Sequence, residues 1–180
     1  MISLLKPAHL GLVVAVIFTV SGFPTTRTAS AQPATIVALG ASNTWGKGVR
    51  RSAAYPAHLQ VMLRKRGISA KVRNAGINGN TTAQMLARLT SVLSSNTRVV
   101  ILQPGGNDKR RGVSRQQSRA NIKAIKRSLK ARGIKIVMLP NRLIGQIAKT
   151  YPRPDGQHFK SAGYKALAAR LLPQVLKALR

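Results

Sequence analysis

Val99-Val100-Ile101-Leu102 places four apolar residues in a row with no polar alternation. A run of this kind suits a strand buried on both faces, as in a parallel sheet covered by helices. The turn-forming Gly105-Gly106-Asn107-Asp108 follows closely and ends it. Working outward, residues 35–39 (TIVAL) run into Gly40, residues 134–139 (IKIVML) repeat the pattern, and residues 70–72 predict a brief strand. Between them lie helical stretches. Residues 56–66 carry Leu59, Met62 and Leu63 at helical spacing and stop at Gly67. Thr81 or Thr82 can cap a helix to about Leu93, and Ser114 can cap a basic helix to Arg132 with Gly133 as its stop. Residues 161–179 predict a last helix, bent at Pro173. Strand–helix alternation predicts an α/β fold: a parallel sheet of four strands with helices on both faces. Only residues 143–148 are available for a fifth strand. Ligands of such sheets bind at the carboxyl ends of the strands. The loops to inspect are therefore residues 40–48, 74–80, 104–112 and 140–158.

Composition narrows the chemistry. The 180 residues hold 31 Lys+Arg against 2 Asp+Glu, a formal net charge of +29. Two acids cannot furnish an EF-hand loop or a di-iron bundle. With no Cys there is no disulfide, thiol nucleophile or iron–sulfur cluster, and His9, His58 and His158 are too scattered for a His-based metal site. No metal and no cofactor is expected. A hydrophobic share of 44% is ordinary for a folded chain, so the charge does not imply disorder. The basic excess attracts anions at long range. Peripheral association with an anionic membrane or glycan fits that charge. A specific nucleic-acid partner is not expected, because aromatic stacking platforms are scarce at 4%.

Residues 1–31 read as a secretion signal. Lys6 supplies a basic start, residues 10–20 (LGLVVAVIFTV) an apolar stretch too short for an ordinary spanning helix, and Ala29-Ser30-Ala31 a small-x-small cleavage pattern. Residues 32–180 are then expected to form one domain acting as a monomer in the periplasm or outside the cell.

The first loop contains a decoy. Gly40 to Lys47 follows a strand like a phosphate-binding loop, but five residues separate Gly40 from Gly46 and Gly48 follows Lys47. The nucleotide motif needs four residues and a Ser or Thr. The four loops together supply hydrolase parts instead. Ser42 sits where a strand gives way to a Gly-flanked turn. Asn74-Ala-Gly-Ile-Asn-Gly79-Asn80 is rich in residues that tolerate left-handed backbone and can aim N–H groups at an anion. Asn107 places an amide after the VVIL strand. Asp155 stands three residues before His158, a spacing that lets the carboxylate reach Nδ1 and leaves Nε2 free to take a serine proton.

These four blocks resemble the SGNH (GDSL-type) hydrolase family, in particular its small secreted thioesterase/lysophospholipase/arylesterase branch. Gly40-Ala41-Ser42-Asn43-Thr44 matches the nucleophile block, Gly79 the second, Gly105-Gly106-Asn107-Asp108 the third, and Asp155 with His158 the final D-x-x-H, in the family's order. The resemblance implies a flavodoxin-like three-layer α/β/α fold and hydrolysis of esters or thioesters without a metal. It implies Ser42, Asp155 and His158 as catalytic residues, and an oxyanion hole from the N–H groups of Ser42 and Gly79 and the Asn107 amide. Two departures stand out. Ala41 and Asn43 replace the usual Asp and Leu beside the nucleophile, and the stretch between Asn107 and His158 is short.

The two surviving acids, Asp108 and Asp155, both fall in these motifs. Average composition would place roughly 20 acids in such a length. Asp155 is assigned to orient His158, and Asp108 to tie down its loop. Two alternatives remain for the whole chain: a carbohydrate O-deacetylase on the same fold, and a catalytically degenerate basic protein that binds anions.

Overall fold

The computed structural model describes residues 32–180. The predicted signal segment, residues 1–31, lies outside the described residues. Four strands, β1 (Ala34–Gly40), β2 (Ala70–Gly76), β3 (Thr97–Leu102) and β4 (Lys135–Met138), form one parallel sheet in the order β2-β1-β3-β4. Six α-helices accompany them: α1 (Ser42–Trp45), α2 (Tyr55–Arg64), α3 (Thr82–Ala87), α4 (Arg115–Ala131), α5 (Asn141–Thr150) and α6 (Ser161–Leu179).

The central strands read as two interleaved faces. Ile36, Ala38, Val99 and Ile101 pack against Leu59 and Leu63 of α2, Ile144 of α5, and Leu167 and Leu171 of α6. Val37, Leu39, Val100 and Leu102 point the other way, onto Met85 of α3 and Ile125 and Leu129 of α4. The period of two sends alternate side chains into opposite cores, so both faces must be apolar. The result is the three-layer α/β/α arrangement. The chain passes from β1 to β2 on one side and then crosses to β3 on the other. The loops after β1 and β3 therefore diverge, which opens a crevice between them.

Several elements depart from the sequence reading, each for a local reason. β2 extends to Gly76, where only residues 70–72 read as a strand, because Lys71 and Arg73 interrupt its apolar pattern. It is an edge strand, and Lys71 points to solvent. α3 starts at the Thr81 cap, with a reciprocal Gln84 contact, but ends at Ala87 rather than Leu93. There the Arg88 side chain turns inward to donate to Asn80 Oδ1 (2.7 Å) and the Gly40 carbonyl (3.1 Å). The only candidate for a fifth strand is helical: Ile144, Ile147 and Ala148 form the buried stripe of α5. Among the described residues the sheet keeps four strands. α6 runs through Pro173 without interruption. Pro173 and Ala169, whose carbonyl loses its helical partner, both face solvent, so water can replace the missing bond.

Candidate active site

Close packing forces the first turn. A Cβ on Gly40 would overlap Thr44 Oγ1 and lie 2.6 Å from Gln103 Oε1, so only glycine fits where β1 ends. Gln103 is buried, and its Oε1 accepts from Ala41 N (3.1 Å), Thr44 N (3.2 Å) and Thr44 Oγ1 (2.7 Å). One side chain at the end of β3 thus holds both sides of the turn that presents Ser42. The sequence reading did not single out Gln103. Its one signal is a polar residue directly after an apolar strand.

The second component is the loop after α5. An antiparallel bridge between Pro152 and Phe159 pinches its base, and Phe159 is buried against Tyr164 with ring centroids 5.0 Å apart. Arg153 donates to the Gly48 carbonyl (2.8 Å), and the Tyr164 hydroxyl to the Lys47 carbonyl (2.9 Å). These two bonds tie the loop to the chain just beyond Ser42. Gly156 takes a left-handed φ of 63°. Asp155 Oδ1 can then accept from Gln157 N (3.0 Å) and His158 N (2.9 Å).

Between these components the side chains meet. His158 Nε2 lies 2.8 Å from Ser42 Oγ, and His158 Nδ1 lies 2.7 Å from Asp155 Oδ2. His158 is buried, whereas the Asp155 side chain is 41% exposed. The Gln157 N–H, and after it the His158 side chain, hold the Asp155 carboxyl well below the usual carboxylate range. Asp155 is therefore an anion at any pH where imidazole can act as a base.

The third component comes from the loops after β2 and β3. Asn107 is buried, and its Nδ2 donates to the Asn80 carbonyl (3.0 Å), which ties it to the residue after Gly79. Gly79 has a φ of 75°. Among the described residues, the N–H groups of Ser42 and Gly79 donate to no protein acceptor. Asp108 takes no part in this group. Its Oδ1 accepts from Thr82 N (2.8 Å) and its Oδ2 from Ser118 Oγ (2.6 Å), so it binds the starts of α3 and α4 to the Gly105 loop.

A cleft of about 230 Å³ opens over Ser42, Asn107 and His158. Asn43, Gln103, Arg110 and Gln157 line it, and α5 supplies Asn141, Ile144, Gly145 and Ala148. Asp155 sits behind His158, and Gly79 is reached through Asn80; neither lines the cleft. Trp45 lies elsewhere, 38% exposed with the Arg51 guanidinium 3.9 Å above its ring. His58 sits on α2, where burial and then Lys165 hold its imidazole below the ordinary value. Among the described residues no three His, Asp or Glu side chains gather as metal ligands would.

Comparison with known proteins gives a consistent picture. The model of the GDSL-like lipase/acylhydrolase family matches residues 38–177. Esterase TesA of Pseudomonas aeruginosa is 34% identical over 115 residues, covering 63% of this chain and 56% of the relative. Thioesterase 1/protease 1/lysophospholipase L1 of Escherichia coli K12 is 34% identical over 118 residues, covering 65% of this chain and 55% of the relative. The chain thus spans about half the length of these curated relatives. A crystal structure of TesA superposes with a TM-score of 0.64 at 27% identity, covering 81% of this chain and 98% of that one.

Proposed function

Because the chain belongs to the GDSL-like lipase/acylhydrolase family, we propose that it is a serine ester hydrolase whose nucleophile is Ser42. The observation that carries this reading is the continuous contact from Ser42 Oγ through His158 to Asp155, at 2.8 and 2.7 Å. His158 Nε2 takes the Ser42 proton as Oγ attacks an ester or thioester carbonyl. Asp155 keeps the imidazole in the tautomer with a proton on Nδ1 and stabilises the imidazolium that forms. The tetrahedral oxyanion is met by the free N–H groups of Ser42 and Gly79 and by the second Nδ2 hydrogen of Asn107. Each such donor contributes about 2.7–4 kcal/mol to the transition state. His158 returns the proton to the leaving group, then activates water to release the acid from Ser42.

The cleft supports short acyl groups. Its volume of about 230 Å³ lies below the roughly 300–1,000 Å³ of drug-sized ligand sites. Its apolar lining is Ile144 and Ala148, beside a wall of amides from Asn43, Gln103, Asn107, Asn141 and Gln157. This polarity favours, as a second reading, a deacetylase of polar hydroxylated compounds over a lysophospholipase. A Cβ on Gly145 would meet open space, so Gly145→Leu should fill the cleft and shorten the acyl chains accepted.

The reading extends to location and partners. Residues 1–31 direct export, and the domain works beyond the cytoplasm as a monomer. Arg119, Lys123, Lys126, Arg127 and Lys130 line one open groove along α4, a surface suited to anionic membranes or glycans.

The test is hydrolysis of a short-chain aryl ester by wild type and Ser42→Ala. Activity that disappears with Ser42 supports the reading. A wild type inert on aryl esters, acetylated sugars and lysophospholipids alike would favour a non-catalytic anion binder.

A further inference from the structure

Arg110 joins the two halves of the cleft. It lies in the short turn Lys109–Arg111, directly after Gly105-Gly106-Asn107-Asp108. One guanidinium nitrogen donates to Asn107 Oδ1 (2.7 Å) and another to Gln157 Oε1 (2.6 Å), in the loop that carries Asp155 and His158. Both contacts are short, as expected when the donor is charged. Among the described residues the one ion pair joins Asp155 to His158, so no carboxylate neutralises Arg110.

The consequence concerns the Asn107 amide. Its two ends are nearly identical in shape and differ only in donating or accepting. With Oδ1 toward Arg110 and Nδ2 toward the Asn80 carbonyl, both contacts are satisfied. Flipping the amide would set Nδ2 against a cationic donor and Oδ1 against a carbonyl oxygen. The Asn80 carbonyl on one side and Arg110 on the other therefore lock a single orientation. A charged donor on Oδ1 also polarises the amide, which strengthens Nδ2–H as a donor.

We propose that Arg110 is a positioning residue: anchored by Gln157, it holds and polarises the Asn107 amide so that Nδ2 meets the oxyanion. The proposal rests on the ester-hydrolase reading above. Arg110 lines the cleft but bonds to neither Ser42 nor His158, so the influence proposed here passes through Asn107 and belongs to the transition state.

The experiment compares Arg110→Met, Arg110→Lys, Gln157→Ala, Asn107→Ala and the double variant Arg110→Met/Asn107→Ala on a neutral aryl ester, with Ser42→Ala alongside. Arg110→Met should lower kcat by about 10- to 100-fold with KM little changed, a smaller loss than for Asn107→Ala. Arg110→Lys keeps the charge but reaches one acceptor, so its kcat should lie between wild type and Arg110→Met. It also carries the test should Arg110→Met not fold. Gln157→Ala should show part of the same loss. The decisive result is the double variant, which should be no slower than Asn107→Ala alone. Losses that multiply, an unchanged kcat in Arg110→Met, or an effect confined to KM for anionic esters would overturn the proposal. Full activity in Ser42→Ala would instead overturn the ester-hydrolase reading itself, whatever the Arg110 variants do.

Discussion

Replacing Gln103 by Met tests how the nucleophile is held. The side chains are similar in length, but the thioether cannot replace an acceptor that satisfies three donors. Ala41 N and Thr44 Oγ1 would lose their acceptor in a buried site, while Thr44 N keeps its second bond, to the Ala41 carbonyl (3.1 Å). A buried donor left unpaired costs about 1–3 kcal/mol, so two cost at least about 2 kcal/mol. Gln103 also lines the cleft, where water can partly rehydrate the turn, so the total should stay at about 2–4 kcal/mol. At roughly 3 °C per kcal/mol for a domain of this size, the Tm should drop by about 10 °C. Ser42 lies within the same turn, so kcat should fall as well, since a displacement of about 1 Å can cost about 100-fold. Gln103→Glu retains the acceptor and should restore most of the Tm. Thermal unfolding followed by circular dichroism, with kcat on an aryl ester, reads both effects. A Tm within about 2 °C of wild type for Gln103→Met would refute the reasoning, because two unpaired buried donors cannot be that cheap.

Three further outcomes follow from the site. Asn107→Ala should reduce kcat about 10²–10³-fold with KM nearly constant, as measured by steady-state kinetics, because it removes an oxyanion donor and no substrate contact. Asp155→Asn should lower kcat by about 10²–10⁴-fold. The native carboxyl is ionised well below the usual range, so the acidic limb of kcat/KM reports His158. Losing the anion disfavours the imidazolium, and the limb should move to lower pH; a limb that moves up would disconnect the two residues. Turnover of an anionic ester should weaken through KM as salt rises from about 0.1 to 1 M, where the Debye length shrinks from about 10 to 3 Å. A neutral ester should barely respond, and equal responses would remove the surface charge from substrate capture.

The legible and hidden parts of the molecule divide along physical lines. β1 and β3 were readable because both faces of a central strand are apolar, and their side chains alternate between two cores. α4 was readable from Ser114, which accepts from Gln117 N, and from the glycine stop at its far end. β2 was only partly readable, since an edge strand can carry Lys71 and Arg73. Ser42 was readable from the end of β1, whereas Asp155 and His158 lie in the loop between α5 and α6 and were readable only from their D-x-x-H spacing. The supports of that site were not readable. Gln103 bonds to Ala41 across 62 positions and Arg110 to Gln157 across 47. No local periodicity encodes such contacts.

The central claim is that Ser42 is the nucleophile, and covalent trapping tests it most directly. The protein is treated with an aryl phosphonate ester, and the modified peptide is located by mass spectrometry. The account predicts one adduct per chain, on Ser42, formed in step with loss of esterase activity and greatly slowed in His158→Ala. An adduct on another residue, or undiminished ester hydrolysis with Ser42 fully modified, would contradict it.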